Sequence, residues 1–450
     1  MKKKQWSAIM LGVIVSLVLA ACAAPVPVAP AAPVEVTRVV EVIVEVTAEP
    51  AATPTELPAA PIKLTLMATS GARPAVEDAI KAFEESHEGV TFAAVFTDDA
   101  AFTSVLPQQL AGGNAADIFS TWPGSYSSVS AGGLGKRGFL LDLSEELWVS
   151  QIPDTMKDFV GADGKTYFAP LVSLPIVAIY NETAMKGKGL DYPMTFEEVL
   201  GFCDAANKAG VIPFALGAQT QSQNQMLGFL FLPTLLERVN PTFLKQRSAG
   251  KATFADSEWV DVFERVQEMN DRRCFRDPLS TDVEAAKSMV ATGKALGMFG
   301  HAITFRQVSE LAKDGPTITG QSFPGTGNAD DTRMSVALGS SFSINAVTEH
   351  PDLAKEFIAY LMEPQNVVKY ADAAKQPPAL PNDLYVATPG TSMALQFAAE
   401  GKTFPLQEQL FPNPAIRTAW IVTVQEMLGG LKGPEDVAKA MDEAWIKAAP

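Results

Sequence analysis

Ile62-Lys-Leu-Thr-Leu-Met-Ala68, followed by the loop Thr69-Ser-Gly-Ala-Arg-Pro74, opens the part of the chain from which its fold class can be read. The first stretch is rich in β-branched and aliphatic residues and reads as a strand; the Gly and Pro of the second end it. Val76, Ala79, Ile80 and Phe83 then recur at i, i+3, i+4 and i+7, the spacing that places them on one face of a helix. A second strand is expected over Val90 to Phe96 and a third near Ile118 to Thr121. Strand, helix, strand, helix, strand is the signature of an α/β unit with a mainly parallel sheet.

Helix signals continue downstream. Thr195-Phe-Glu-Glu198 is a capping box, with Met194 and Val199 at the two staple positions. After Pro351, Leu353, Phe357, Tyr360 and Leu361 form one apolar stripe; after Pro434, Val437, Met441 and Trp445 form another, each Pro standing near a helix start. Met226 to Leu236 is strongly apolar but short and interrupted by Pro233, which suits a core helix or two short segments rather than a membrane span.

Upstream of Ile62 the composition changes. Lys2, Lys3 and Lys4 precede an apolar run from Trp6 to Leu17, and Leu19-Ala20-Ala21-Cys22 is a small-residue cleavage site ending in Cys. This resembles the lipobox of bacterial lipoproteins, in which the Cys becomes lipidated and N-terminal; a retained membrane helix is the alternative. Loss of residues 1–21 would remove three lysines and no acids, moving the net charge from −16 to −19. Eight prolines lie between Cys22 and Pro61, around a Val/Glu alternation from Val34 to Thr47. That composition favours an extended tether, with a self-pairing strand as the alternative.

The whole chain has 450 residues, 35 Lys+Arg against 51 Asp+Glu, three Cys and three His. Such an acidic balance excludes a basic stripe for nucleic-acid phosphates. So few Cys and His exclude a zinc cluster, an iron–sulfur motif or a disulfide framework, and no cofactor or metal is expected. Catalytic signatures are missing as well: there is no Gly-x-Ser-x-Gly elbow, no His-Glu-x-x-His and no complete phosphate loop. Gly132-Gly-Leu-Gly-Lys-Arg137 lacks the gap and the hydroxyl of a phosphate loop and reads as a turn. His87 and His350 sit in polar contexts that suit a solvated imidazole. His301 follows the apolar run Leu296-Gly-Met-Phe-Gly300, so it can face a cleft at a strand end; a core or loop role is the competing reading. Cys203 and Cys274 fall in helix-like segments, where free buried thiols are favoured over a disulfide. Asp98-Asp99, after the second strand, suits hydrogen bonding better than paired acid/base work, because adjacent loop residues rarely face each other across a substrate.

Six stretches together resemble the extracellular solute-binding proteins of ATP-binding-cassette importers, in the branch that includes maltose and oligosaccharide binders. They are Ala111-Gly-Gly-Asn-Ala-Ala-Asp-Ile-Phe119; Asp163-Gly-Lys-Thr-Tyr-Phe-Ala-Pro170 leading to Ile179-Tyr-Asn181; Pro193-Met-Thr-Phe-Glu-Glu198; Gly293-Lys-Ala-Leu-Gly-Met298; Phe323-Pro-Gly325; and Ser343-Ile-Asn-Ala346 with His350-Pro-Asp-Leu-Ala-Lys-Glu-Phe357. The resemblance implies an α/β fold of the periplasmic-binding-protein type: two lobes joined by a hinge and clamping a ligand between them. It implies residues 62–170 as lobe 1, with about 335–375 returning to it, and 171–334 as lobe 2, with about 376–450 returning. Pro170 to Pro175 is the expected first crossing.

Function follows from the resemblance in the same way: a non-enzymatic, monomeric receptor, anchored to the membrane through lipidated Cys22. It would capture a small solute, most readily a carbohydrate, and deliver it to the permease subunits of the importer. A polyamine or phosphate compound as ligand, or an exported carbohydrate-active hydrolase, are the alternatives. Family matching places Ser70, Arg73, Asp98, Trp122, Ser340, Ser341 and Trp420 at contact positions, with Gln221 and Gln225 as donors from the second lobe. Two departures point to a smaller or differently shaped ligand than maltose. Ala302 stands where many relatives carry Trp, and Leu174 replaces the hinge acid of maltose binders.

Overall fold

The computed structural model describes residues 61–313 and 315–447. The leader, Cys22 and the tether as far as residue 60 lie outside the described residues. In chain order the strands are β1 (Ile62–Thr69), β2 (Val90–Thr97), β3 (Ile118–Thr121), a two-residue ladder of β4 (Gly161–Ala162) and β5 (Lys165–Thr166), and β6 (Ser173–Asn181). They continue with β7 (Ile212–Ala215), β8 (Ala295–His301), β9 (Ile318–Gln321), β10 (Met334–Leu338), β11 (Ser341–Ile344) and β12 (Thr403–Pro405).

Two principal sheets organise these strands. The first has the order β11-β3-β1-β2, with β1 parallel to both β2 and β3, as the alternation of strand and helix predicts. The helix between β1 and β2 runs Arg73–Ser86 and buries Val76, Ile80 and Phe83. The second sheet, β12-β10-β6-β8-β7 with β9 also on β6, departs from the parallel expectation: β6 is antiparallel to β8, β9 and β10. Residues 175–181 of β6 are all buried, which explains why Pro175-Ile-Val-Ala-Ile-Tyr180 reads as a continuous apolar run without alternation.

Each sheet has its own core. Phe83, Phe119, Phe342 and Phe357 belong to the first; Phe214, Phe231, Trp259 and Phe299 pack on one face of the second. The predicted capping box forms, with Glu198 N–H donating to Thr195 Oγ1 at 3.2 Å and Thr195 N–H to Glu198 Oε2 at 3.3 Å. Its staple does not form, because Met194 is 58% exposed. Pro351 and Pro434 begin the helices Pro351–Met362 and Pro434–Lys447. Met226–Leu232 is helical and passes at Pro233 into a π turn, as a residue without an N–H in the helix interior would require. The segment expected to turn at 132–137 is instead the short helix Ala131–Lys136, held to the core by buried Ala131 and Leu134.

Three crossings connect the lobes. β10 pairs with β6 in the second sheet and β11 with β3 in the first, and only Gly339 and Ser340 separate them. Gly339 N–H donates to the Val172 carbonyl at 2.9 Å. A Cβ on Gly339 would stand 2.9 Å from a Val172 methyl and 3.2 Å from that carbonyl, so only glycine fits against the first crossing. The third crossing is the stretch 375–382, between the helix Pro364–Ala374 of the first core and the helix Ser392–Ala399 on the second sheet, and Ser173 N–H donates to Pro377 O there at 2.8 Å. The turn Gln407–Leu410, after β12 in the second lobe, carries Gln409, whose amide brackets Leu338 by accepting from its N–H (3.2 Å) and donating to its carbonyl (3.0 Å).

The free-thiol expectation for Cys203 and Cys274 is corrected by a disulfide with S–S 2.08 Å. Phe214 N–H takes the Cys274 carbonyl at 3.1 Å, which lays the 274–275 segment beside β7, against the helix Phe196–Lys208 that leads into that strand. Sequence spacing carries no trace of this meeting across 71 residues. Replacing both cysteines by serine should lower unfolding stability by about 4 kcal/mol, from the closure entropy of a loop of that length. Urea titrations of wild type and double variant, each with and without reductant, check this: reductant should move only the wild type.

Candidate functional site

Strand direction assembles the candidate site. β1, β2 and β3 run parallel, so their C-terminal ends, Thr69, Thr97 and Thr121, share one edge of the first sheet. β11 runs the other way with Ser341 opposite Thr121, so its first residue joins that edge. Ser70, Asp98, Trp122, Ser340 and Ser341, scattered over 270 residues of sequence, are thereby brought to one rim beside the crossings. On the second sheet His301 ends β8 opposite Ile176, three residues beyond the crossing residue Ser173, and so lies at the matching edge. Open α/β sheets place ligands beyond such strand ends.

Several polar atoms at these ends are buried without a partner in the protein: Thr97 Oγ1, Ser341 Oγ and His301 Nδ1. Buried polar groups are normally hydrogen-bonded, so each is a position that a hydroxylated ligand would satisfy. Burial holds the His301 imidazole below its ordinary pKa, with Lys287 adding to the effect, so the ring is neutral at neutral pH. Lys287 is itself buried and is held by Glu284 at 2.6 Å and Gln307 at 2.8 Å.

The most developed chemistry lies where the loop after β3 meets the turn Gln407–Leu410. Trp122 and Tyr126 stack with ring centroids 6.0 Å apart and planes 15° from parallel. Burial pushes the Tyr126 phenol up, Glu408 pushes it further, and Arg417 and a hydrogen bond with Gln409 oppose them. Arg417 Nε lies 2.6 Å from Glu408 Oε1 and 3.1 Å from Gln225 Oε1. Glu408 is buried, and desolvation raises its carboxyl to about 7 against the pull of Arg417. Asp99 on the first lobe is raised by burial and by its neighbour Asp98, and its charge also reaches Tyr126. An aromatic pair of the first lobe thus adjoins an Arg, a Glu and a Gln reached from the second. Such a group can stack on the C–H face of a ring while exchanging hydrogen bonds with hydroxyls.

The other expected contacts are placed differently. Trp420 is fully buried in the second lobe, edge-on to Phe229 and Trp259 at 5.1 Å each, so it is a core residue and no stacking platform. Gln225 is buried against Arg417, whereas Gln221 is exposed on the preceding turn. Ser70 is exposed; Arg73 pairs with Glu77 at 3.0 Å and lies over the Phe96 ring at 4.3 Å. Asp98, expected as a ligand contact, caps the helix Asp99–Gly112 by accepting from Ala101 N–H at 2.9 Å. Sequence reasoning missed Arg417, Glu408 and Tyr126. Arg417 stands in the same Phe411–Trp420 stretch, and the mixed pattern there hid which side faces the cleft; the buried positions Ile416 and Trp420 now mark the core side. Among the described residues no group of three or more His, Cys, Asp or Glu could hold a metal ion, and no helix is long and apolar enough to cross a membrane.

Comparison with known proteins agrees with this geometry. Residues 78–389 match the family model described as bacterial extracellular solute-binding protein. The chain is similar to the melibiose/raffinose/stachyose-binding protein MelE of Bacillus subtilis, 20% identical over 394 residues, covering 84% of this chain and 87% of that one. In fold it is similar to a family 1 extracellular solute-binding protein from Bifidobacterium longum subsp. infantis (TM-score 0.72, 21% identity, 86% and 100% of the two chains). It is likewise similar to apo RafE from Streptococcus pneumoniae (TM-score 0.72, 16% identity, 87% and 99%).

Two outcomes follow from this placement. Trp420→Ala should destabilise the fold by about 3–5 kcal/mol, as large aromatic truncations in cores do, visible as a lower urea midpoint. Glu237, buried on the π turn and accepting from the Gln407 backbone, is raised by desolvation to about 8. A folded-state pKa above the unfolded one means the native state keeps a proton that the unfolded chain releases. Stability from this group is therefore full below about pH 4.5 and falls as pH rises toward about 8. Glu237→Gln should flatten that decline in thermal melts from pH 5 to 9; an unchanged slope would place the cause elsewhere.

Proposed function

The chain belongs to the bacterial extracellular solute-binding proteins, an extracytoplasmic family, and on that premise we propose that its solute is a carbohydrate held between the two lobes. The observation that carries this reading is the stacked Trp122–Tyr126 pair beside Arg417, Glu408 and Gln225. A pyranose presents flat C–H faces and a rim of hydroxyls, and this arrangement offers an apolar face next to charged and amide groups. MelE, which carries melibiose, raffinose and stachyose in its name, supports the sugar class.

In this reading the mechanism is closure about the crossings. Trp122 and Ser341 belong to the first lobe, Gln225, His301 and Arg417 to the second. A ligand that touches both sets favours the closed arrangement by its differential contacts. Closure then presents surfaces of both lobes to the permease of an ATP-binding-cassette importer. The protein binds without turnover and is held at the membrane through Cys22. Because Gln409 bonds Leu338 beside the crossing at Gly339, and Glu408 next to it pairs with Arg417, ligand contact at Arg417 is mechanically close to the hinge.

A thermal-shift screen of the full chain against melibiose, raffinose, stachyose and chitin oligosaccharides, with spermidine and phosphate alongside, tests the class. A cognate ligand at a hundred times its Kd stabilises by about 2.7 kcal/mol. A shift with spermidine or phosphate and with no sugar overturns the reading. Trp122→Ala should weaken the active sugar at least about tenfold, roughly 1.4 kcal/mol, in isothermal titration.

A further inference from the structure

A separate crevice of about 770 Å³, lined by neither Trp122 nor Tyr126 nor Arg417, lies beside the turn Gln407–Leu410. Its first-lobe wall includes Asp158, Phe159 and Asp163, and its second-lobe wall Leu244, Lys245 and Ser248. Gln407 and Leu410 line it from that turn. The neighbouring positions Glu408 and Gln409 serve Arg417 and Leu338 instead, so successive residues of one short segment serve two different places. The loop after β3 lies in contact with this segment. Ser125 N–H donates to Gln409 O at 2.8 Å, and a Cβ on Gly124 would stand 1.9 Å from that oxygen.

The lining has a definite chemical character. Its three aspartates are each matched by a lysine: Asp154 with Lys157 at 2.6 Å, Asp158 with Lys245 at 3.5 Å and Asp163 with Lys136 at 3.9 Å. That balance gives no preference for a charged guest. Half-buried Phe404, with Leu244 and Pro405, supplies an apolar face, and Ser125, Thr155 and Ser248 supply hydroxyls. Gln407 Oε1 is buried with no partner in the protein, an acceptor in want of a donor. The volume falls within the range of small-molecule sites, about 300–1,000 Å³.

We propose that this crevice is a second small-molecule site, which takes a neutral polyhydroxylated ligand through its own lining residues. Both lobes form its walls and Lys245 reaches Asp158 across it, so an occupant favours the lobe arrangement in which the walls are this close. Occupancy here and at the Trp122 site are then coupled, each raising the other's affinity by the same factor if both favour one arrangement.

Hydrogen–deuterium exchange on the full chain tests this, with raffinose, maltose, cellobiose and N-acetylglucosamine as millimolar probes. At least one probe should slow exchange in 154–163 and 241–249 by about tenfold. That protection should persist in Trp122→Ala and disappear in both Ser248→Trp, which fills the crevice from an exposed position, and Phe404→Ala. Absence of protection with all four probes overturns the proposal. So does its loss in Trp122→Ala, which would make it an echo of closure at the first site, or its survival in both crevice variants. Failure of the first-site reading is a different result: binding unaltered by Trp122→Ala while the crevice segments respond to their own variants.

Discussion

The passage of β10 into β11 through Gly339 and Ser340 is the constraint on which the two-lobed structure depends. One strand is committed to the second sheet by its ladder with β6, the next to the first sheet by its ladder with β3. Two residues cannot absorb a large separation, so the sheets are held edge to edge at that point, and the rims that carry Ser341 and His301 are held beside each other. Gly339 permits the first crossing to lie in contact with the second, the Ser173–Pro377 bond brings in the third, and the Gln409 amide holds the turn 407–410 on Leu338 with a side chain that copies a backbone ladder. A change at Gly339 or Gln409 would act on both lobes at once, whereas most core changes act on one.

The charged groups around the turn Gln407–Leu410 are unusual for so buried a place. Glu237 and Glu408 are both buried and both have carboxyls raised into the neutral range, one without a countercharge and the other with Arg417. Retaining two such groups is unfavourable for stability compared with apolar residues. In exchange, Glu408 aligns Arg417 with Gln225 at the place where lobe 1 presents Trp122 and Tyr126. The disulfide Cys203–Cys274 is remote from this chemistry and braces the second sheet around β7. It suits the extracytoplasmic setting of the family, where thiols are not kept reduced.

Family motifs also gain physical content. Within Ala111–Phe119, Asp117 accepts from Thr65 N–H at 2.8 Å, Thr65 Oγ1 at 2.6 Å and Thr348 Oγ1 at 2.6 Å, so it ties β1 to the loop after β11. Burial alone would raise its carboxyl, but these hydrogen bonds outweigh burial and hold it below the usual range. Asn345, from another of the matching stretches, bonds the carbonyls of Ala115 and Ala116 at 3.1 and 3.2 Å. Both motifs therefore secure the first sheet at the end of β3 and β11 away from the rim.

Local periodicity was enough for the first sheet, the capped helix at Thr195 and the proline-started helices, because hydrophobic spacing, caps and fixed proline φ act within a few residues. The family resemblance placed Ser70, Asp98, Trp122 and Ser341 at contact positions, and strand direction brings them to one rim. Antiparallel placement of β6, the pairing of Cys203 with Cys274, the burial of Trp420 and the role of Arg417 were decided only by the tertiary structure. Each depends on contacts between segments tens to hundreds of residues apart. A Trp in an apolar helical pattern can line a cleft or fill a core with the same neighbours in sequence; only the arrival of Phe229 and Trp259 against its ring settles which.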